Sequence, residues 1–166
     1  MHKLCDKIKR GEILESLKIV EYDEKYKQDL MDISMEWLLK YDLLEEEDYV
    51  MLRNPKEEVI DKGGHIFFAE YNGDVVGTVA LDRMDENECE VLKFGVKETA
   101  QGKGVGIALM KRLMEVAKEE GYKKILLCSN HQLESAIHIY KKLGFEFIPF
   151  QNSRFEISDT MMEYKL

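Results

Sequence analysis

Hydrophobic positions change their spacing several times along the chain, and each change marks an element. Leu17 to Tyr22 is rich in β-branched and aromatic residues and predicts a short first strand. Asp23 is placed to N-cap the segment 24–41, where Tyr26, Leu30, Ile33, Trp37 and Tyr41 recur at intervals of three and four, the helical period. Shorter helical stretches follow at 45–52 and from Pro55 through Ile60, until Gly63-Gly64 ends the region. Together these helices read as one cover laid over the rest of the fold.

The spacing then turns to strands. His65 to Tyr71 and Val75 to Leu81 are apolar runs separated by Asn72-Gly73-Asp74, whose Asn and Gly tolerate the positive φ of a hairpin turn. After the polar stretch Asp82 to Glu88, Cys89 to Val96 predicts a further strand. Gly104 to Glu120 returns to the helical period, with Leu109, Leu113, Val116 and Ala117 on one face, and stops at Gly121. Lys124 to Cys128 is a continuous apolar run, which predicts a strand buried on both faces. Leu133, Ala136, Ile137, Tyr140 and Leu143 line one face of a helix that ends at Gly144, and Phe145 to Ile148 and Thr160 to Leu166 close the chain as strands. The order β-α-α-β-β-β-α-β-α-β-β predicts an α/β (α+β) domain over residues 17–166, preceded by an extension at 1–16.

Composition narrows the class. With 166 residues, 45% hydrophobic and 34% charged, the chain suits one globular domain with its own core. The 33 acidic against 24 basic residues leave a net charge of −9, which opposes a general nucleic-acid binder. No apolar run approaches the ~20 residues of a membrane span, and the start at Met1 lacks the apolar stretch of a secretion signal, so a cytoplasmic protein is expected. Cys5, Cys89 and Cys128 are far apart, and no CxxC, HExxH or His/Cys cluster is present. No disulfide framework and no metal site are therefore expected. Cys128, in its apolar run, reads as a small packed hydrophobe, and His131 as a surface or capping residue.

The segment Gln101-Gly102-Lys103-Gly104-Val105-Gly106 carries the most chemistry. Alternate glycines let backbone N–H groups converge without side chains in the way, and the helix that follows adds unpaired N–H groups and positive partial charge. Such a loop takes an anion, most naturally a phosphate or pyrophosphate. GxxxxGK[ST] is absent, and a GxGxxG count puts Ile107 or Leu109 where the third glycine belongs, so the familiar nucleotide loops do not match. A flexible turn before a surface helix remains the plain alternative.

A strand, a (Q/R)xxGxG/A loop, a helix, a strand and then a helix with Ala136, Tyr140, Gly144 and Phe145 together resemble the GNAT superfamily of N-acetyltransferases. The detailed motifs cover about residues 89–147 and the element order runs from Leu17 to the end. The resemblance implies a mixed, mostly antiparallel central sheet of about seven strands flanked by helices. It also implies acetyl-CoA as co-substrate, with Gln101, Gly102, Lys103, Gly104, Val105 and Gly106 at its pyrophosphate and the backbone of Phe94 and Val96 along its pantetheine arm. Gly95 would allow the bulge or the close approach that this strand edge requires.

By the same resemblance, Tyr140 is the acid that protonates the leaving thiolate, although it equally fits the apolar face of its helix. Glu90, eleven residues before Gln101, matches the glutamate that deprotonates the amine, directly or through water, and equally suits a solvated strand face. Many members carry an asparagine seven residues before the tyrosine, where this chain has Leu133, so that contact is missing or comes from Asn130 at the end of the preceding strand. The acceptor, a small-molecule or peptide amine, is expected against Trp37, Tyr41 and Phe155, with Asp42, Glu45, Glu46 and Glu47 attracting its charge. The alternative there is a core tryptophan and a solvated helix start. The implied activity is direct transfer from acetyl-CoA to a primary amine in a ternary complex. A non-catalytic acyl-CoA-binding or regulatory domain on the same fold is the rival, and a homodimer is an admissible assembly.

Overall fold

The computed structural model describes residues 16–166, so the extension expected at 1–16 lies outside the described residues but for Ser16. The strand signals become β1 (Leu17–Glu21), β2 (His65–Tyr71), β3 (Asp74–Arg83), β4 (Glu88–Val96), β5 (Lys124–Ser129), β6 (Glu146–Ile148) and β7 (Thr160–Lys165). They form one seven-stranded sheet in the order β1-β2-β3-β4-β5-β7-β6. Every neighbouring pair is antiparallel except β4 with β5. The hairpin turn forms as its residues require, with Asn72 at φ 49° and Gly73 at φ 83°.

The helices are α1 (Lys27–Lys40), α2 (Glu46–Arg53), α3 (Val105–Glu119) and α4 (Glu134–Lys142). Asp23 accepts from the Lys25 N–H and caps a single 3₁₀ turn, Glu24–Tyr26, which leads into α1. The stretch after Pro55 winds as a π-helical turn, Lys56–Ile60. No helix among the described residues is long and apolar enough to cross a membrane.

Two cores flank the sheet. Phe67 and Ala69 pack with Leu109 and Leu113 of α3 and with Tyr140 of α4, while Ile66 and Phe68 pack with Leu30 and Ile33 of α1. Burial on both faces explains why β2 reads as a continuous apolar run. The same expectation fails for β5. Ile125 and Leu127 are buried, but Leu126 and Cys128 are only half-buried. Cys128 faces a cavity and not a helix.

The register of β3 on β4 contains an irregularity that decides which side chains of β4 face the helical cover. Ala80 pairs with Leu92 and Thr78 with Gly95, so β4 holds one extra residue, and Lys93 takes a left-handed φ of 49°. Gly95 serves the close approach instead. A Cβ there would lie 2.8 Å from Nε1 of Trp37.

Gly64 sets a tight joint between the helical cover and the sheet. A Cβ at this position would lie 2.5 Å from the Leu81 carbonyl oxygen and 2.7 Å from Val59 Cγ1. Gly64→Ala is expected to cost about 1–3 kcal/mol through overpacking. Urea denaturation should show a lower midpoint with an unchanged slope; an unaltered midpoint would mean that this joint yields.

Candidate active site

The parallel pairing of β4 with β5 begins at Glu88↔Lys124 and stops at Val91↔Leu127. Beyond it, Leu92, Gly95 and Val96 pair only with β3. The β5-facing edge of β4 therefore carries backbone N–H and C=O groups without a strand partner. A cavity of about 1030 Å³ fills the opening.

One end of this cavity is the glycine loop. Gly102 and Gly104 both adopt left-handed backbone, at φ 72° and 86°, which side chains disfavour. Gly104 starts α3 without a side-chain cap, and no acidic residue lies in the first turn. The first intrahelical bond of this end runs from Ala108 N–H to Gly104 C=O at 3.1 Å. The amides of Val105, Gly106 and Ile107 thus precede the helical ladder and are available to an anion. The Gln101 side chain donates to the Val96 carbonyl at 2.9 Å and ties the loop to the end of β4. Gln101, Gly102, Gly104, Val105 and Gly106 line the cavity. Lys103 does not; its ammonium donates to the Thr99 carbonyl at 3.0 Å.

Tyr140 lines the middle of the cavity, packed between Phe94 and Phe145 with ring centroids 5.7 and 5.9 Å away. Burial pushes its phenol above the ordinary tyrosine value, so it is protonated at neutral pH. Phe94 and Val96 also line the wall.

Glu90 sits on β4, the strand before the loop. It lies where β4 is still paired with β5, opposite Leu126, and is absent from the cavity wall. Arg154 Nη2 donates to Glu90 at 3.2 Å and to Asp82 at 2.6 Å. Burial pushes the Glu90 carboxyl up, while Arg154 pulls it back. Asn130 reaches the wall, but both ends of its amide are engaged within the chain. Its Nδ2 donates to the Ile157 carbonyl at 2.9 Å and its Oδ1 accepts from the Gln132 N–H at 3.0 Å.

The far end of the cavity is bounded by Trp37, Tyr41 and Phe155. Of the four acidic residues expected there only Glu45 lines it, and it accepts from the Glu156 and Ile157 N–H groups at 2.8 and 3.4 Å. Glu45 thereby ties the segment 149–159 to the start of α2. Asp42, Glu46 and Glu47 are exposed.

Two charged residues that sequence reasoning missed complete this end. Lys93 and Asp48 form an ion pair on the cavity wall, with side chains only 4% and 2% exposed. Burial pulls the Lys93 ammonium below the ordinary lysine value, and Asp48 beside it pulls the other way. The Phe155 ring covers the ammonium at 4.4 Å. Asp48 had a legible signal, because Glu45-x-x-Asp48 has the spacing of a capping box, and Asp48 accepts the Glu45 N–H at 2.8 Å. The bulge that turns Lys93 inward had no such signal.

Comparisons with known proteins fit this geometry. Residues 27–145 match the acetyltransferase (GNAT) family. The uncharacterized N-acetyltransferase YjgM of Escherichia coli (strain K12) is 34% identical over 97 residues, covering 56% of this chain and 58% of that protein. The chain spans about half the length of the curated relatives it matches. A GNAT-family acetyltransferase from Staphylococcus aureus Mu50 superposes with a TM-score of 0.80 at 23% identity, covering 90% of this chain and 98% of that one. PaiA N-acetyltransferase from Thermoplasma acidophilum, solved in complex with coenzyme A, gives 0.73 at 18% identity, with 91% and 99% covered. At these identities the structural likeness speaks for the fold, and the family match runs from the start of α1 past the end of α4, across the elements that build the cavity. The chain belongs to the GNAT family of acetyltransferases.

Proposed function

We propose that this protein transfers the acetyl group of acetyl-CoA to a primary amine, with both substrates held together in the one cavity. The observation that carries this reading is the continuity of the cavity. It joins an anion-binding glycine loop, an open strand edge, a buried tyrosine and a partly apolar far end. The loop amides of 102–106 suit a pyrophosphate, with Lys103 adding charge nearby, and the free edge of β4 at Phe94 and Val96 suits an extended amide-bearing arm. Acetyl-CoA supplies the acyl group already activated as a thioester.

Tyr140 then donates its phenolic proton to the sulfur as the carbon–sulfur bond breaks and the new carbon–nitrogen bond forms. The amine loses a proton and the Tyr140 phenolate takes one back from water, so the products are the amide and the free thiol and the phenol is restored. Glu90, held by Arg154 and beside the wall residue Cys128, is the carboxylate nearest the cavity on this strand, and it takes the amine's proton directly or through water. Cys128 lines the cavity, but burial pushes its thiol up, away from the thiolate that a covalent route needs. Direct attack by the amine is the route that fits. The free thiols of Cys89 and Cys128 suit a reducing, cytoplasmic setting.

Thermal unfolding with acetyl-CoA, coenzyme A, ATP and NADH tests the cofactor. A ligand at a hundred times its Kd adds about 2.7 kcal/mol of stability, and only the two coenzyme A species are expected to raise the midpoint. Gly104→Val, which forces a β-branched residue into left-handed backbone, should remove that shift while the protein still folds, at a cost of about 1–3 kcal/mol. Retained affinity would take the loop out of the site. Tyr140→Phe should lower kcat by about 10²- to 10⁴-fold with little change in acetyl-CoA affinity. Unchanged turnover would make Tyr140 a packing residue. Binding of acetyl-CoA without turnover of any amine would identify a non-catalytic binding domain.

A further inference from the structure

Acetyl transfer through Tyr140 makes no use of the ion pair at the far end of the cavity. The extra residue in β4 turns Lys93 toward α2, the side that Leu92 also faces, and its ammonium meets Asp48. Both oxygens of Asp48 are engaged, one by Lys93 and the other by the Glu45 N–H at 2.8 Å. The ammonium is not saturated. It carries three N–H donors, and among the described residues its one hydrogen-bond partner is Asp48. The Phe155 ring covers another side at 4.4 Å. The other charges here are already matched, Glu45 by the amides of Glu156 and Ile157, and Arg154 by Asp82 and Glu90. What this end still offers a ligand is cationic donor capacity at Lys93.

Resting on the acyl-transfer reading, we propose that the acceptor is an amino acid with an apolar side chain, and that Lys93 binds its carboxylate. A diamine would bring a second cation up to a buried ammonium. A phosphate dianion would meet a single cation that Asp48 already neutralises. A zwitterion carries no net charge, as does the Lys93–Asp48 pair, and its carboxylate accepts the unused N–H groups. Trp37, Tyr41, Leu43 and Phe155 on the same wall accommodate an apolar side chain.

The test compares apolar amino acids with their primary amides and their decarboxylated amines as acceptors. The amino acid should show a KM about 10- to 100-fold below that of its amide, the worth of a charge-assisted hydrogen bond. Lys93→Met should abolish the difference in KM between the amino acid and its amide, over and above whatever the loss of the Asp48 partner costs both acceptors alike; Lys93→Arg should recover part of the difference. A purely structural role for Lys93 would move both acceptors together. Binding is read separately by the rise in unfolding midpoint that the amino acid causes in the presence of coenzyme A, which Lys93→Met should lose while keeping the acetyl-CoA shift. If Lys93→Met does not fold, the acid-to-amide comparison on the parent protein decides alone. An amide or a simple amine used as well as the amino acid would overturn the inference and leave acetyl transfer standing. No acetyl-CoA shift and no turnover would overturn both.

Discussion

A sheet that stops pairing partway along two of its strands leaves polar backbone groups that the fold itself does not satisfy. In this protein that interruption lies between β4 and β5, after Val91↔Leu127, and the remainder of the site depends on it. Up to that register the two strands exchange hydrogen bonds; beyond it they diverge and a cavity opens between them. β4 keeps its place because β3 pairs its other edge. A free edge held rigid by its neighbour can template an extended ligand, and the glycine loop at its end offers amides that precede the helical ladder.

The same divergence separates two sets of charges by what they can reach. Glu90 lies before the opening, so its carboxylate is absorbed into the pairs with Arg154 and stays outside the wall. Lys93, three residues later and displaced by the bulge, is on the wall. The segment 149–159 joins both. Arg154 ties it to β3 and β4, Glu45 ties it to the start of α2, and Phe155 covers Lys93. Breaking the buried pair of Lys93 with Asp48 leaves an uncompensated charge, so this end of the cavity is held in one arrangement by electrostatics as much as by packing.

Much of the fold could be read from residue spacing, for a local reason. Apolar runs, helical period, Asn72-Gly73 and the stops at Gly121 and Gly144 are properties of neighbouring residues, and each element formed near its expected limits. The glycine loop was legible in the same way, since Gly102 and Gly104 take the left-handed backbone that their residue type permits. The π-helical turn after Pro55 was not legible, because choosing it over an α-helical turn depends on what the segment packs against. The half-buried face of β5 also escaped, since an apolar run does not reveal that one of its faces meets a cavity.

The sequence by itself determined the class of the fold, the glycine loop and the helix that carries Tyr140, because periodicity and glycine placement act over a few residues. The tertiary structure alone decided that β7 inserts between β5 and β6, that Glu90 is latched to Arg154, and that Lys93 enters the cavity against Asp48. These depend on register between distant segments. One additional residue in β4 changes which way a side chain points, and nothing in the local pattern records it.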